Sequence, residues 1–188
     1  YNIVSPLLNS DNVGKQGING IIFALIALTG GNYGTAEYRD ELLNTVLNAQ
    51  STEGYFEYGG SPNADVTAMA LCALAPYSDR QEVKSAIDRA VDALGAMIDD
   101  NGLILTDGVY SSETVSQVII GLSAVGVDAE TDSRFVRNGS GLVTALGSFS
   151  VGGGYAHLAG DKVNPMASEQ GLCATAAYNL YKKGSQPL

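Results

Sequence analysis

NADVTAMALCALAPY, residues 63–77, is the stretch of sequence that decides the fold. It is small and apolar, and its one charged residue, Asp65, stands near its start. Such a stretch predicts a helix that is enclosed by protein on every side. GINGIIFALIAL at 17–28 and SSETVSQVIIGLSAVG at 111–126 have the same character, and each of the three contains an Ala-Leu or Gly-Leu pair.

The three stretches are copies of one repeat. Superimposing their Ala-Leu and Gly-Leu pairs places Asn19, Asp65 and Glu113 at equivalent positions, and a fourth copy, MASEQGLCATAAYNLY, follows at 166–181. The intervals between copies are 46, 48 and 53 residues. A period of this length is typical of architectures that stack helical hairpins.

Segments of a different kind separate the copies. Residues 37–49 and 80–98 place apolar side chains three or four positions apart with charges opposite, and a shorter segment of this kind spans 141–149. These patterns predict half-exposed helices that form an outer layer around the buried ones. Gly54 is predicted to end the first outer helix. Only 102–106 suggests a short extended piece, so the fold class is all-α.

Composition and charge disfavour several classes of function. A net charge of −10, with no cluster of Lys and Arg, disfavours nucleic acid as a partner. The longest apolar run, Ile21 to Leu28, is far shorter than the roughly twenty residues of a membrane span. Cys72 and Cys173 form neither a disulfide framework nor a metal spacing, and both are predicted to be small buried side chains. The start at Tyr1, without Met, suggests a piece of a longer protein.

Several of these residues resemble a known repeat. Gln50, Gly54-Tyr55-Phe56 and Asp65-Val-Thr-Ala-Met-Ala-Leu71 are similar to the repeat of squalene cyclases and prenyltransferases. KQGINGIIFALIAL, DVTAMALCALAPY and TDSRFVRNGSGLVTALGSF, followed by MASEQGL, resemble the prenyltransferase-like repeat proteins that Gram-positive bacteria secrete or display on their surface. The resemblance covers essentially the whole chain.

The resemblance implies an α/α toroid with six inner helices, of the terpenoid cyclase type. Four inner helices are predicted here, so residues 1–188 are expected to be a single domain that forms a partial ring, the C-terminal two-thirds of a toroid. A missing N-terminal segment, or a second chain, is then expected to cover the free flank of the first inner helix. The resemblance also implies an extracellular or cell-surface location.

The signatures of catalytic relatives are missing. The Asp-x-Cys pair that helps to hold zinc in protein prenyltransferases is absent, since Thr67 follows Asp65 at that spacing. Asp99-Asp100 is placed in a turn, and the chain has no Trp to line a site for carbocations. An enzyme remains the alternative, either an isoprenoid-processing transferase or cyclase, or a glycan hydrolase with Asp65 and Glu113 as paired carboxylates. Acids in the first turn of a helix are also favoured simply by capping and the helix dipole.

The sequence therefore favours a non-catalytic domain that binds a small molecule or a protein partner at the mouth of the toroid. No catalytic residue, metal site or cofactor is predicted. By analogy of fold with the vitamin B12 carriers of animals, a cobalamin-like small molecule is one occupant to consider. The residues expected to line the mouth are Tyr58, Asp65, Tyr110, Glu113, Tyr155 and His157.

Overall fold

The computed structural model describes residues 2–8, 10–106 and 108–185, and most of them lie in helices. The helices are α1 (Ser10–Gly14), α2 (Gly17–Gly30), α3 (Ala36–Ala49), α4 (Ala64–Leu74), α5 (Gln81–Ala96), α6 (Ser112–Ala124), α7 (Leu142–Gly147) and α8 (Pro165–Lys182). Short 3-10 turns precede α1 and follow α4. The predicted helical character is confirmed. Across these residues, no helix combines the length and the apolar character that crossing a membrane requires.

The helices fall into two sets. The central helices, α2, α4, α6 and α8, pack in chain order, each against the next. The flanking helices, α3, α5 and α7, each pack on the central helix that precedes them. The chain therefore passes alternately through a central and a flanking helix, as the repeat predicts.

Side chains fix where the later central helices begin. The Oδ1 atom of Asn63 accepts the N–H of Val66 at 2.9 Å, and Ser111 Oγ accepts the N–H of Thr114 at 3.1 Å. Asn164 caps α8 in the same way, and Pro165 follows it as the first helical residue. These bonds satisfy N–H groups that no helical carbonyl can reach, so each helix has a defined start.

Burial differs between the middle and the ends of the central row. Eight of the eleven residues of α4 and nine of the thirteen of α6 are buried. In α2 only four of fourteen residues are buried, and in α8 only three of eighteen. The prediction that all four are enclosed by protein is therefore wrong for α2 and α8. Each of these two helices lies at one end of the row and has a central neighbour on one side only.

Two small hairpins add strand structure that the sequence analysis did not predict. β1 (Phe56–Tyr58) pairs with β2 (Ser61–Asn63), and β3 (Ser150–Val151) pairs with β4 (Gly154–Tyr155), both antiparallel. Each hairpin leads from a flanking helix to the next central helix. The stretch 102–106, for which a brief extended pairing was predicted, makes only isolated bridges. Strands are a minor addition to a mostly helical fold.

Gly54 does not end a helix, contrary to the prediction. The helix α3 ends at Ala49, and its C-cap, Gln50, has an extended backbone. Gly54 has φ +96°, and a Cβ there would lie 2.4 Å from the carbonyl oxygen of Arg89 on α5. Glycine is needed here for this left-handed backbone and for the close approach to α5.

Candidate functional site

The N-terminal ends of α4 and α6 place two acids side by side in the fold. Asp65 and Glu113 are each the second residue of their helix, and the two helices pack against each other. The N-cap positions belong to Asn63 and Ser111, whose side chains accept the capping hydrogen bonds. The acids are therefore not the caps, so the explanation of Asp65 and Glu113 by capping is wrong. Their position in the first turn is still favoured by the helix dipole.

Glu113 is hydrogen-bonded to the histidine of the chain. His157 Nδ1 lies 3.0 Å from Oε1 and 2.9 Å from Oε2 of Glu113. The side chain of Glu113 is 18% exposed and that of His157 is 45% exposed. Both residues were predicted to line the mouth, but 44 positions separate them and nothing in the sequence indicates that they pair.

Ser112 fixes the loop that presents His157. The N–H of Ser112 donates to the carbonyl of His157 at 3.0 Å, and its hydroxyl donates to the carbonyl of Ala156 at 2.7 Å. The same hydroxyl lies 3.1 Å from Glu113 Oε2. Ser112 is fully buried. Its two hydrogen bonds anchor the loop before α8 to the first residue of α6. Nothing in the repeat pattern indicated this role for Ser112.

A second set of contacts joins α4 to α6. Thr114 Oγ1 donates to Asp65 Oδ2 at 3.4 Å, and Ser111 Oγ donates to Thr114 Oγ1 at 3.0 Å. We call Asp65, Thr114, Ser112, Glu113 and His157 the polar row. It runs along one end of the molecule, from the start of α4, across the start of α6, to the loop that precedes α8.

The three tyrosines predicted to line the mouth have different surroundings. Tyr58 ends β1 and is 59% exposed. Tyr155 is half-buried on β4 and lies against Gly171 of α8, where a Cβ would meet its ring at 2.4 Å. Tyr155 is therefore a packing residue that needs glycine opposite it, and Tyr58 is the more accessible of the two.

Tyr110 is held by Asp99. Its hydroxyl donates to Asp99 Oδ2 at 2.9 Å, and this bond raises the pKa of Tyr110. Burial disfavours the Asp99 carboxylate, but hydrogen bonds from Leu103, Tyr110 and Asn101 outweigh it and lower the pKa of Asp99. Tyr110 is 38% exposed, but its hydroxyl proton is already engaged, so it offers a ligand its ring rather than its donor.

The side chains that could ligate a metal are dispersed in the described part of the chain. In the part of the chain that the structure describes, no three His, Cys, Asp or Glu residues are placed to hold one ion. Both cysteines are free: Cys72 is half-buried, whereas Cys173 is exposed on α8. The prediction that Cys173 is buried is wrong, because α8 has no neighbour on that side.

The polar row offers one imidazole, which the carboxylate of Glu113 orients. A carboxylate bonded to Nδ1 favours the tautomer in which Nδ1 carries the proton, which leaves Nε2 as an acceptor. Among the described residues, Nε2 has no hydrogen-bond partner. This atom can therefore accept a hydrogen bond from a bound molecule, or take a proton from one.

Comparison with known proteins adds no relative from which a function could be transferred. No model of a known protein family matches the chain, and no curated protein matches it either. The functional assignment therefore depends on the fold and on the geometry of the polar row.

Proposed function

We propose that this chain is a ligand- or partner-binding domain, and that its binding surface is the end of the molecule that contains the polar row. The observation that supports this most directly is the Glu113–His157 pair, with 2.9 Å between Nδ1 and Oε2. Glu113 holds the Nδ1 edge of the imidazole, while 45% of the His157 side chain stays exposed. An orientated and accessible polar group of this kind is what a recognition site requires.

The architecture that we propose is a partial α/α toroid, with the central helices as its inner layer. The poor burial of α2 and α8 supports an open arc, since a closed ring would give each of them two central neighbours. Phe23 on α2 is 53% exposed, and Leu172 on α8 is 67% exposed. A preceding segment of the chain, or a second chain, would then cover the free side of α2.

The resemblance to surface and secreted prenyltransferase-like repeat proteins supports an extracellular or cell-surface location. A domain of this kind would present the polar row to a small molecule or to a protein partner. Cobalamin-like molecules belong to this proposal by analogy of fold alone.

The experiment that tests the binding proposal begins with native mass spectrometry of the complete protein from its own host. A co-purifying small molecule or protein is expected. Glu113→Gln, which removes the carboxylate charge beside His157, should then reduce the bound fraction. It should lower the free energy of unfolding by less than about 1 kcal/mol, since the pair is partly exposed.

Glu57→Gln is the matched control. Glu57 lies on β1 and is exposed, and its side chain has no hydrogen bond with any described residue. Its substitution makes the same change in charge in the hairpin that leads into α4, and binding should not change. If both variants retained the ligand fully, the binding proposal would be refuted. If Glu113→Gln lost stability but kept the ligand, Glu113 would be a structural residue only.

A separate measurement addresses the open arc. Residues 1–188 alone should exchange amide hydrogens readily on the free side of α2, and addition of the covering segment or chain should protect them. A monomer with full protection throughout Gly17 to Leu28 would contradict the partial ring.

The Glu113–His157 hydrogen bond also favours a second candidate, an enzyme of the α/α-toroid type. An imidazole oriented by a carboxylate is a competent general base, and Asp65 lies on the neighbouring helix. The reaction could be isoprenoid processing or carboxylate-dependent glycan hydrolysis. Conversion of the co-purified molecule on incubation, lost in His157→Gln, would favour the enzyme over the binding domain.

A further inference from the structure

The opposite end of the central row contains a cavity that no part of the proposed function uses. We call it the C-terminal cavity, and its volume is about 630 Å³. All four central helices contribute to it near their C-terminal ends, through Thr29, Cys72, Ser123 and Tyr181. A volume between about 300 and 1,000 Å³ is usual for the site of a small ligand.

Helix ends are the source of partial charge in this cavity. Helix C-termini bear partial negative charge, and four of them converge here. Among the described residues, no Asp, Glu, Lys, Arg or His lines the cavity. Of the cations close in sequence to lining residues, Arg80 and Lys182 are paired with Asp40 and Asp128, each at 2.8 Å. Lys183, the C-cap of α8, is exposed. No charged side chain of the described lining therefore offsets the partial charge of these helix ends.

The polar groups in the lining are hydroxyls and backbone carbonyls. Ser123 is 1% exposed, and its hydroxyl has no hydrogen-bond partner among the described residues. Pro76 brings no N–H to the carbonyl of Cys72, four residues before it, so the helical bond to that carbonyl cannot form. A buried polar group without a partner is costly, and a ligand that bonds to it recovers that cost.

Apart from the hydroxyls of Thr29, Ser78, Ser123, Tyr181 and Ser185, the lining side chains are apolar and uncharged. Ile26, Pro76 and Val125 give the cavity hydrocarbon walls. Burial raises the pKa of the Cys72 thiol to about 11, so at neutral pH the thiol adds no charge of its own. The cavity thus combines apolar walls with a hydroxyl and helix C-termini that attract positive charge.

We propose that the C-terminal cavity binds a small organic cation, a primary ammonium on a short hydrocarbon chain. The ammonium group donates to the Ser123 hydroxyl and to helix-end carbonyls, and the hydrocarbon chain packs on the apolar walls. This site is independent of the polar row, because α4 begins at the one end and terminates at the other.

The test uses n-butylammonium and n-butanol as matched probes, with binding to the 188-residue chain followed by saturation-transfer NMR and calorimetry. The two probes have similar size, and one has the charge that the other lacks. The ammonium should bind at least about tenfold more tightly, because hydrogen bonds that involve a charged group are roughly twice as strong as neutral ones.

Two serine variants locate the site. Ser123→Ala should weaken n-butylammonium binding about tenfold. Ser116→Ala is the control, since Ser116 also lies on α6, is fully buried and has a hydroxyl without a partner, but it does not line the cavity. The affinity of Ser116→Ala for n-butylammonium should stay within about twofold of that of the wild type. Both variants remove an unpaired hydroxyl, so both should fold, which circular dichroism checks.

Each outcome decides the proposal. Tighter binding of the ammonium, weakened by Ser123→Ala and not by Ser116→Ala, supports it. If n-butanol binds as tightly as n-butylammonium, the ligand is not recognised by its charge. If the two serine variants have equal affinities, the site is not in the C-terminal cavity. Absence of n-butylammonium binding to the wild-type chain overturns the site itself.

Discussion

Gly121, in the middle of α6, is where the packing of the central helices can be tested most directly. A Cβ at this position would lie 2.5 Å from the carbonyl oxygen of Ala68 on α4, and 3.1 Å from its carbonyl carbon and Cα. Ordinary contacts begin at 3.4 Å, so the Cβ of Gly121→Ala would be about 0.9 Å too close to that oxygen. All three obstructing atoms are backbone, so no change of rotamer relieves the contact.

The expected cost follows from these distances. The helices α4 and α6 must separate, and overpacking a dense core costs about 1–3 kcal/mol. Alanine recovers about 1 kcal/mol, because it favours a helix interior more than glycine does. Since backbone must move, we place the overpacking cost in the upper part of its range. The net loss in free energy of unfolding should be about 1–2 kcal/mol, or about 2–8 °C in Tm for a chain of this size.

The assay is urea unfolding followed by circular dichroism at 222 nm, with Gly30→Ala as the control. Gly30 ends α2, and a Cβ there would have nothing within 4 Å. Its substitution should be neutral or stabilising by up to about 1 kcal/mol. If Gly121→Ala were as stable as the wild type, α4 and α6 would not approach as closely as described, and the ordered central row would be refuted.

Two further predictions concern charge and thiol reactivity. Burial disfavours the Asp128 carboxylate, but hydrogen bonds from Lys182, Tyr178 and nearby backbone lower its pKa to about 2. Asp128→Asn should therefore lower the free energy of unfolding by about 1–2 kcal/mol at pH 7. The difference should shrink as pH falls from about 5 towards 2, because the folded pKa lies below the unfolded value; a difference independent of pH would contradict this. The second prediction is that iodoacetamide at pH 8 labels exposed Cys173 at least about tenfold faster than Cys72, whose pKa near 11 leaves about one thiol in a thousand ionised. Peptide mass spectrometry measures both rates, and equal rates would refute the desolvation that raises the pKa of the Cys72 thiol.

The helices were predictable because their signal is local. The stretches 63–77 and 111–126 each have a single charged residue near the start, which indicated enclosed helices, and both helices are enclosed in the structure. The same signal misled for α2 and α8, because hydropathy reports what a helix could bury and not whether a neighbour is present. Position at the end of a row is a property of the assembly, which no single stretch encodes.

The hairpins had a signal that the helical repeat overshadowed. Gly59-Gly60 and Gly152-Gly153 each form a two-residue turn with φ values of 60° and 82°, and of 57° and 84°. Paired glycines between short extended segments are a recognised mark of a β-hairpin. The Glu113–His157 pair had no such signal. Its two residues lie in a helix and in a loop, so matching helix to helix cannot bring them together.

The two ends of the molecule differ in character because the central helices run in the same direction. Asp65 and Glu113 lie where α4 and α6 begin, and the C-terminal cavity lies where they end. Flanking helices run the opposite way and oppose these dipoles, but α7 has six residues beside the thirteen of α6. Its dipole reaches along only part of α6, so compensation is weakest beside α6 and α8. We therefore expect the dipoles of α6 and α8 to favour the proposed organic cation in the C-terminal cavity, because the short α7 opposes them only in part. Lengthening α7 is expected to weaken n-butylammonium binding without changing any residue that lines the cavity.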